Sequence, residues 1–198
     1  MKLRYIIALL SIFTVINVSA QRFNGGILGG LNASQIDGDH WGGYYKMGLV
    51  FGAFVNTDFR NNWGGQLEIK YSAKGSSTPR NYPEILMISL KYVDMPVLAT
   101  YKVIDKLTLQ AGVSFNYLFS AMYYDGDWFK DWDTEPKKFE TALTLGINYK
   151  LFENFDVNAR YSYSLMPVRS KYATSSWGEG AWFNNVLTFS VYYHIGNK

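Results

Sequence analysis

From Phe155 to Leu165 apolar and polar residues alternate without a break, with Phe155, Val157, Ala159, Tyr161, Tyr163 and Leu165 in one row and Asp156, Asn158, Arg160, Ser162 and Ser164 in the other. Successive side chains of an extended strand point to opposite faces, whereas a helix would scatter these residues around its axis, so the run predicts a strand. The same period recurs at 107–119, 139–149 and 187–195. Across the four segments 23 of the 24 odd-numbered positions are apolar, Thr141 being the exception, so each segment carries one continuous apolar face. Trp63 to Ala73, Met47 to Val55 and, less regularly, Ile27 to Ala33 add three strands. An eighth, from Ile88 to Tyr101, changes phase near Tyr92 and Val93, which predicts a β-bulge; Pro96 supports an irregularity there, because it brings no amide donor to a ladder.

The connections alternate in length. Long ones cover residues 35–45, 74–86, 121–138 and 167–184, and short ones centre on Asp58 to Arg60, Ile104 to Lys106 and Phe152 to Asn154. A meander in this order puts every short turn at one end and every long loop at the other, as in a transmembrane barrel with periplasmic turns and extracellular loops. Both termini are then expected on the periplasmic side. The predicted fold is all-β: an eight-stranded antiparallel up-and-down transmembrane β-barrel, of the small size class that includes OmpA and OmpX.

The first 20 residues read as a processing signal. Lys2 and Arg4 precede a run from Tyr5 to Val18 that is apolar apart from small or neutral polar residues, and Val18, Ser19 and Ala20 offer a small-residue cleavage site before Gln21. As a helix this run covers roughly 21 Å, short of the roughly 30 Å hydrocarbon core, so it is expected to be a cleaved signal peptide rather than an anchor. The expected domains are thus a signal peptide over 1–20 and the barrel over 21–198.

Composition sharpens this picture. Apolar residues make up 48% and aromatics 18% of the chain, yet the mean hydropathy is only −0.11. After residue 20 no stretch approaches the roughly 18 apolar residues of a spanning helix, so any crossing must be made by alternating strands. Without Lys2 and Arg4, 17 basic residues face 16 acidic ones and no basic run exists, which argues against a nucleic-acid partner. The absence of cysteine removes disulfides, thiolate metal sites, thiol catalysis and a lipid-anchored N-terminus.

A soluble barrel would turn the apolar row inward around a ligand; a membrane barrel turns it outward. Two features favour the membrane. The polar row is rich in Gly, Ser, Thr and Asn, small enough for a narrow lumen, where a solvated face would more often carry long charged side chains. Aromatic residues also gather at strand ends, namely Phe59, Trp63, Tyr101, Phe119, Tyr123, Tyr124, Tyr149, Phe155, Tyr163 and Tyr193, as expected of two girdles at the headgroups.

The succession Gly29-Gly30-Leu31-Asn32-Ala33-Ser34, then Gly48-Leu49-Val50-Phe51-Gly52-Ala53-Phe54, Leu67 to Gly75 and Leu90 to Leu98 resembles the PorT-like outer-membrane β-barrel proteins common in Bacteroidetes. The match in order and spacing runs from about Gly26 to Gly112, and the last strands agree in pattern only. The resemblance implies an eight-stranded outer-membrane barrel, and its namesake takes part in protein export across the outer membrane. Most members have no assigned activity, so it transfers a fold more than a task.

Candidate sites follow from the polar row and the loops. Glu68, Lys70, Asp94, Lys102, Glu140, Lys150, Asp156 and Arg160, with His194, are expected in the lumen, where lone charges are costly and both signs should pair. A hairpin centred on Glu153 sets Lys150 opposite Asp156, and Arg160 is expected level with Glu68 and Asp94. This network reads as a rigid plug, and alternatively as an ion pathway. His40, beside Asp37 and Asp39, forms the one conceivable catalytic dyad, with Ser34 or Asp37; nothing in the spacing aims it at a serine, so no catalytic residue is assigned. Asp125, Asp127, Asp131, Asp133 and Glu135 cluster in the third long loop but lack the glycine and terminal glutamate of a calcium loop, so no metal or other cofactor is expected. Trp41 and Tyr44, Trp128 and Trp132, and Trp177 and Trp182 stand in the first, third and fourth loops as a candidate contact surface, although such rings also suit packing together as a lid or resting on headgroups, the favoured reading. Together these observations predict an exported, non-enzymatic outer-membrane barrel with a structural or interaction role, accessory to protein secretion or envelope assembly. Expected partners are outer-membrane lipid, lipopolysaccharide and a protein of the envelope. The competing readings are a narrow channel and a lipid-modifying enzyme.

Overall fold

The computed structural model describes residues 23–79, 81–129, 136–169 and 180–195; the expected signal peptide lies outside them. Nine strands follow in order: β1 Phe23–Asp37, β2 Lys46–Asp58, β3 Trp63–Ser77, β4 Leu86–Ile104, β5 Leu107–Asp125, β6 Asp127–Phe129, β7 Phe139–Lys150, β8 Phe155–Ser164 and β9 Phe183–Ile195. Each long strand pairs antiparallel with its neighbour, β1 pairs with β9, and the β4–β5 pairing closes the ring, so eight strands form a barrel with β6 as a short return on β5. Closure leaves the membrane-crossing part of the ladder without an open edge. The turn at Asn61 and Asn62 shows why one end can be tight: both take positive φ (59° and 67°), a region that short amide side chains tolerate.

Odd-numbered apolar residues face outward as the alternation predicts, with Leu49, Ile69, Phe115, Ile147 and Phe189 all about half exposed on the wall. Rings pair at both ends of this band: Trp63 with Tyr101 and Phe155 with Tyr193 toward the short turns, each at 5.0 Å, and Phe51 with Tyr71 at 4.9 Å toward the long loops. Tyr123 departs from the expected girdle, since it packs inward against a buried cluster.

That cluster explains the largest departure from expectation. Ile36, Ile88, Leu90, Tyr92, Leu118, Val168 and Trp182 form an apolar core inside the barrel at its long-loop end. β4 therefore keeps one phase from Leu86 to Tyr101: Ile88, Leu90, Tyr92 and Asp94 all point inward, and what changes at Tyr92 is the chemistry of the inward row. The bulge does fall at this level, but its extra residue is Phe119 on β5, which stands between the pairs Lys91 with Ser120 and Tyr92 with Leu118. For the same reason β1, β3, β4, β5 and β9 run several residues further toward the long loops than simple odd-apolar alternation indicates. At Gly75, φ is +139° and a Cβ would lie 2.0 Å from the Ile88 carbonyl oxygen, so only glycine lets β3 pass this close to β4.

One seam is incomplete. β2 pairs with β1 up to Lys46, but with β3 only from Val50 downward. Above that level the Asn32 amide reaches across, donating to the Ala73 carbonyl and to Ser72 Oγ, both at 2.9 Å.

Candidate functional site

Because every second residue of a strand points inward, eight strands bring polar groups far apart in sequence into one lumen. Nearer the short turns, Arg160 on β8 forks onto Glu68 on β3, Nη1 to Oε2 at 2.8 Å and Nη2 to Oε1 at 3.0 Å. This is the bidentate geometry that makes arginine–carboxylate pairs strong. Tyr192 and Gln66 also donate to Glu68, Arg160 donates to Gln110, and Lys70 Nζ lies 3.3 Å from Glu68. Glu68 and Arg160 are 2% and 3% exposed, so their charges are held by one another rather than by solvent.

Nearer the long loops a second cluster has the opposite stoichiometry. Lys74 Nζ lies 3.0 Å from Asp94 and 3.3 Å from Glu140, and it caps the Tyr92 ring at 4.6 Å. Asn116, Asn184 and Ser164 donate to Glu140, satisfying the carboxylate that shares its lysine with Asp94. Two cations and one carboxylate below thus face one cation and two carboxylates above, so the two clusters balance one another. Lys70, Lys74 and Asp94 help to line a cavity of about 10 Å³ between the clusters. That is room for about one water molecule. Leu28, Val50, Phe54 and Tyr192 form a second apolar cluster inside the barrel, and the Ile36 to Trp182 core closes the long-loop end.

Of the eight expected lumen residues, the structure brings Glu68, Lys70 and Arg160 into one cluster and Asp94 and Glu140 into another, so Asp94 is not a partner of Arg160. Lys150 stands opposite Asp156 in register, while Asp156 holds the His194 ring at 2.8 Å and accepts from Asn148. Lys102 lies outside the closed network: its side chain is 43% exposed at the rim, 3.5 Å from Asp58. The strand ends there, and water reaches it. Lys74 follows Lys70 and Ser72 at the same period, but the sequence places it at the start of a loop because the apolar alternation stops at Ala73. Tyr92 and Tyr192 were missed as aromatic residues in a row expected to be polar.

The loop candidates fare differently. Trp182 is buried in the long-loop core under the Arg169 guanidinium, 4.5 Å from its ring, and is therefore no contact surface. Trp41 stacks on Tyr123 at 6.4 Å, and Tyr44 donates to Asn185 at 2.6 Å, so both anchor the first loop. Trp132 and Trp177, with the side chain of Trp128, lie outside the described residues, as do Asp131, Asp133 and Glu135. His40 is exposed, whereas Ser34 is buried and donates to the Lys46 carbonyl, so the conceivable dyad is not assembled. Among the described residues no three His, Cys, Asp or Glu side chains converge as metal ligands. In the first loop Asp39 is buried and accepts the Trp41 amide at 2.8 Å. Burial pushes its carboxyl up to about 6.

Known proteins match this architecture. A family model described as outer membrane protein β-barrel domain covers residues 18–170. Among solved structures the chain is similar to Ail, the attachment invasion locus protein of Yersinia pestis, in complex with the heparin analogue sucrose octasulfate. The identity is 15% and the TM-score 0.50, over 88% of this chain and 99% of that one. It is also similar to Neisserial surface protein A, at 10% identity and a TM-score of 0.54 over 86% and 96% of the two chains. At such identities the likeness is one of fold. No curated protein matches the chain by sequence.

Proposed function

This chain belongs to the outer membrane protein β-barrel domain family, and from that premise we propose that it is a non-enzymatic outer-membrane protein that acts by contact, in a structural or interaction role accessory to protein secretion or envelope assembly. The observation that carries this reading is the filled lumen. Its charges are bonded to one another, and apolar clusters occupy both halves, so the surfaces left to act are loops, turns and outer wall. The long loops are read as extracellular and the termini as periplasmic, after removal of residues 1–20. The PorT-like succession of motifs from Gly26 to Gly112 supports the link to export. Trp128, Trp132 and Trp177 are the loop aromatics offered to a protein partner or to lipopolysaccharide.

Pull-down of the full-length protein from envelopes tests this reading. A stable envelope protein is expected to co-purify and to be lost when Trp128, Trp132 and Trp177 are changed to Ala; a partner retained by that variant would move the contact elsewhere. The lumen is tested separately in planar bilayers. No current is expected from the folded barrel, and steady conductance would favour the channel. Unchanged lipid A by mass analysis, with and without expression, is the expected outcome against lipid modification.

A further inference from the structure

Register sets Lys91 of β4 between Ala73 of β3 and Ser120 of β5. Its neighbours Leu90 and Tyr92 are buried in the upper core, so the Lys91 side chain belongs to the outer face. The bulge then gives β5 two consecutive outward positions. Leu118 before it and Ala121 after it both pack inward, which leaves Phe119 and Ser120 side by side on the outer face. The Phe119 ring is 47% exposed. It meets Tyr71 of β3 at 6.1 Å, and Tyr71 stacks on Phe51 of β2 at 4.9 Å, so three strands contribute to one row of rings. Tyr71 stands opposite Val93, one outward step below Lys91, and Met95 and Val97 continue that row into the lipid-facing band. The rings therefore stand at the level where aromatic residues meet headgroups, with Lys91 just above them.

A second lysine joins this one. Lys46, half-buried at the upper end of β2, donates from Nζ to the Met47 carbonyl at 3.2 Å. Among the described residues the charge that acts on it is that of Lys91, and no luminal charge does. Neither lysine has a carboxylate of the described residues within ion-pair distance. The nearest acidic groups are turned elsewhere. Glu84 and Asp125 act on Tyr123 higher up, and Asp37 at the end of β1 faces β9, where the Asn185 amide donates to it. Like charges held together without a counterion repel, and an anion between them removes that repulsion.

We propose that this patch binds the phosphomonoester of a membrane lipid, with the phosphate between Lys46, Lys91 and the Ser120 hydroxyl and the acyl chains against Phe51, Tyr71 and Phe119. Two unneutralised lysines match the near-double negative charge of a phosphomonoester, where a phosphodiester brings only one charge. The rings directly below select a lipid as the source, because only an anion that carries its own apolar chains can hold its charge at Lys91 and cover that row as well. The site rests on the reading above that the long loops are extracellular. On that reading the occupant is lipid A, the phosphorylated glycolipid of the outer leaflet, and the patch is where the barrel holds lipopolysaccharide.

The test titrates the full-length barrel, folded in neutral detergent, with bisphosphorylated lipid A, with the same lipid after phosphatase treatment, or with phosphatidylglycerol, and counts bound lipid by native mass spectrometry. Wild type is expected to bind bisphosphorylated lipid A about tenfold more tightly than either other lipid. Lys91→Gln and Lys46→Gln are each expected to weaken that binding about tenfold, the loss of one charge-assisted hydrogen bond, and Ser120→Ala about fivefold. Lys91→Arg is expected to keep it, and Lys106→Gln in a short turn to leave it unchanged. Heat-dependent gel mobility shows that each variant is folded. Equal affinity for lipid A with and without its phosphates, a loss in Lys106→Gln equal to that in Lys91→Gln, or displacement by equimolar inorganic phosphate would each overturn the site. Orientation is read separately, from labelling of Tyr82→Cys on intact cells with an impermeant maleimide. Labelling is expected; its absence, with the binding in detergent intact, would overturn the extracellular reading of the long loops and with it lipid A as the occupant in the cell.

Discussion

Along the inward row of β4, Leu86, Ile88, Leu90 and Tyr92 stand at the long-loop end, and Asp94 and Thr100 stand further down among the ion pairs. The outward row changes in the opposite sense, from Ser89 and Lys91 above to Met95 and Val97 below. β1 repeats the inversion, with Ile36 inside and Gln35 and Asp37 outside at its upper end, against Asn32 inside and Leu31 and Ile27 outside lower down. The upper part of the barrel is built like a water-soluble protein, with an apolar core, whereas the band below it carries apolar residues outside and its ion pairs inside, beside the smaller cluster of Leu28, Val50, Phe54 and Tyr192. One unbroken strand serves both. The hydrophobic effect drives burial only where water is the alternative, so the inversion marks the level at which the wall leaves lipid.

The largest effect that would break this contrast is expected at Arg160. Arg160→Met removes the fork and leaves Lys70 as the only cation beside the buried Glu68 carboxylate, which should cost about 3–5 kcal/mol in urea unfolding from vesicles. A loss below about 1 kcal/mol would mean that the band is not held by its ion pairs. The next test makes one deletion in both regions. Leu90→Ala should open a cavity in the upper core and cost about 2–5 kcal/mol, whereas Leu145→Ala on the lipid-facing wall should cost about 0.5 kcal/mol because lipid fills the space. Equal losses would erase the distinction.

Smaller effects sharpen the boundary between the two regions. Asn32→Ala removes the donors that bridge the open seam to Ser72 and Ala73. A cost of about 1–3 kcal/mol is expected, read as faster amide exchange in the upper part of β2 than in β8. The smallest effect concerns the first loop, where the Asp39 carboxyl is raised from 3.8 to about 6 by burial. A raised carboxyl favours the folded loop when protonated, so its contribution is complete below about pH 3.8 and is lost as pH rises through about 6. Exchange protection of the Trp41 amide should therefore fall between pH 4.5 and 7.5, and Asp39→Asn should flatten that profile.

The lower band was legible because its rule is local. Thirteen or so residues of period two, as from Leu107 to Phe119, name a strand and its outward face without reference to anything distant. The same rule misled above Tyr92, where apolar residues continue on even positions: a change of solvent there looks like a change of phase. Trp182, for which the sequence leaves a contact surface and a packed lid both open, lies in the upper core, because only the folded loop shows which rings it covers. Lys102 was placed in the lumen by phase alone, and the strand ended before the lumen could enclose it.

By itself the sequence determined how many long strands there are, their order, the short and long ends, and which row carries charge, because backbone alternation and turn chemistry act over a few neighbouring residues. Only the tertiary structure decided who pairs with whom. Arg160 meets Glu68 across 92 residues of chain, and Lys74 rather than Lys70 takes Asp94 and Glu140. Those choices depend on the register at which eight strands close, and closure is a property of the whole ring that no single strand contains.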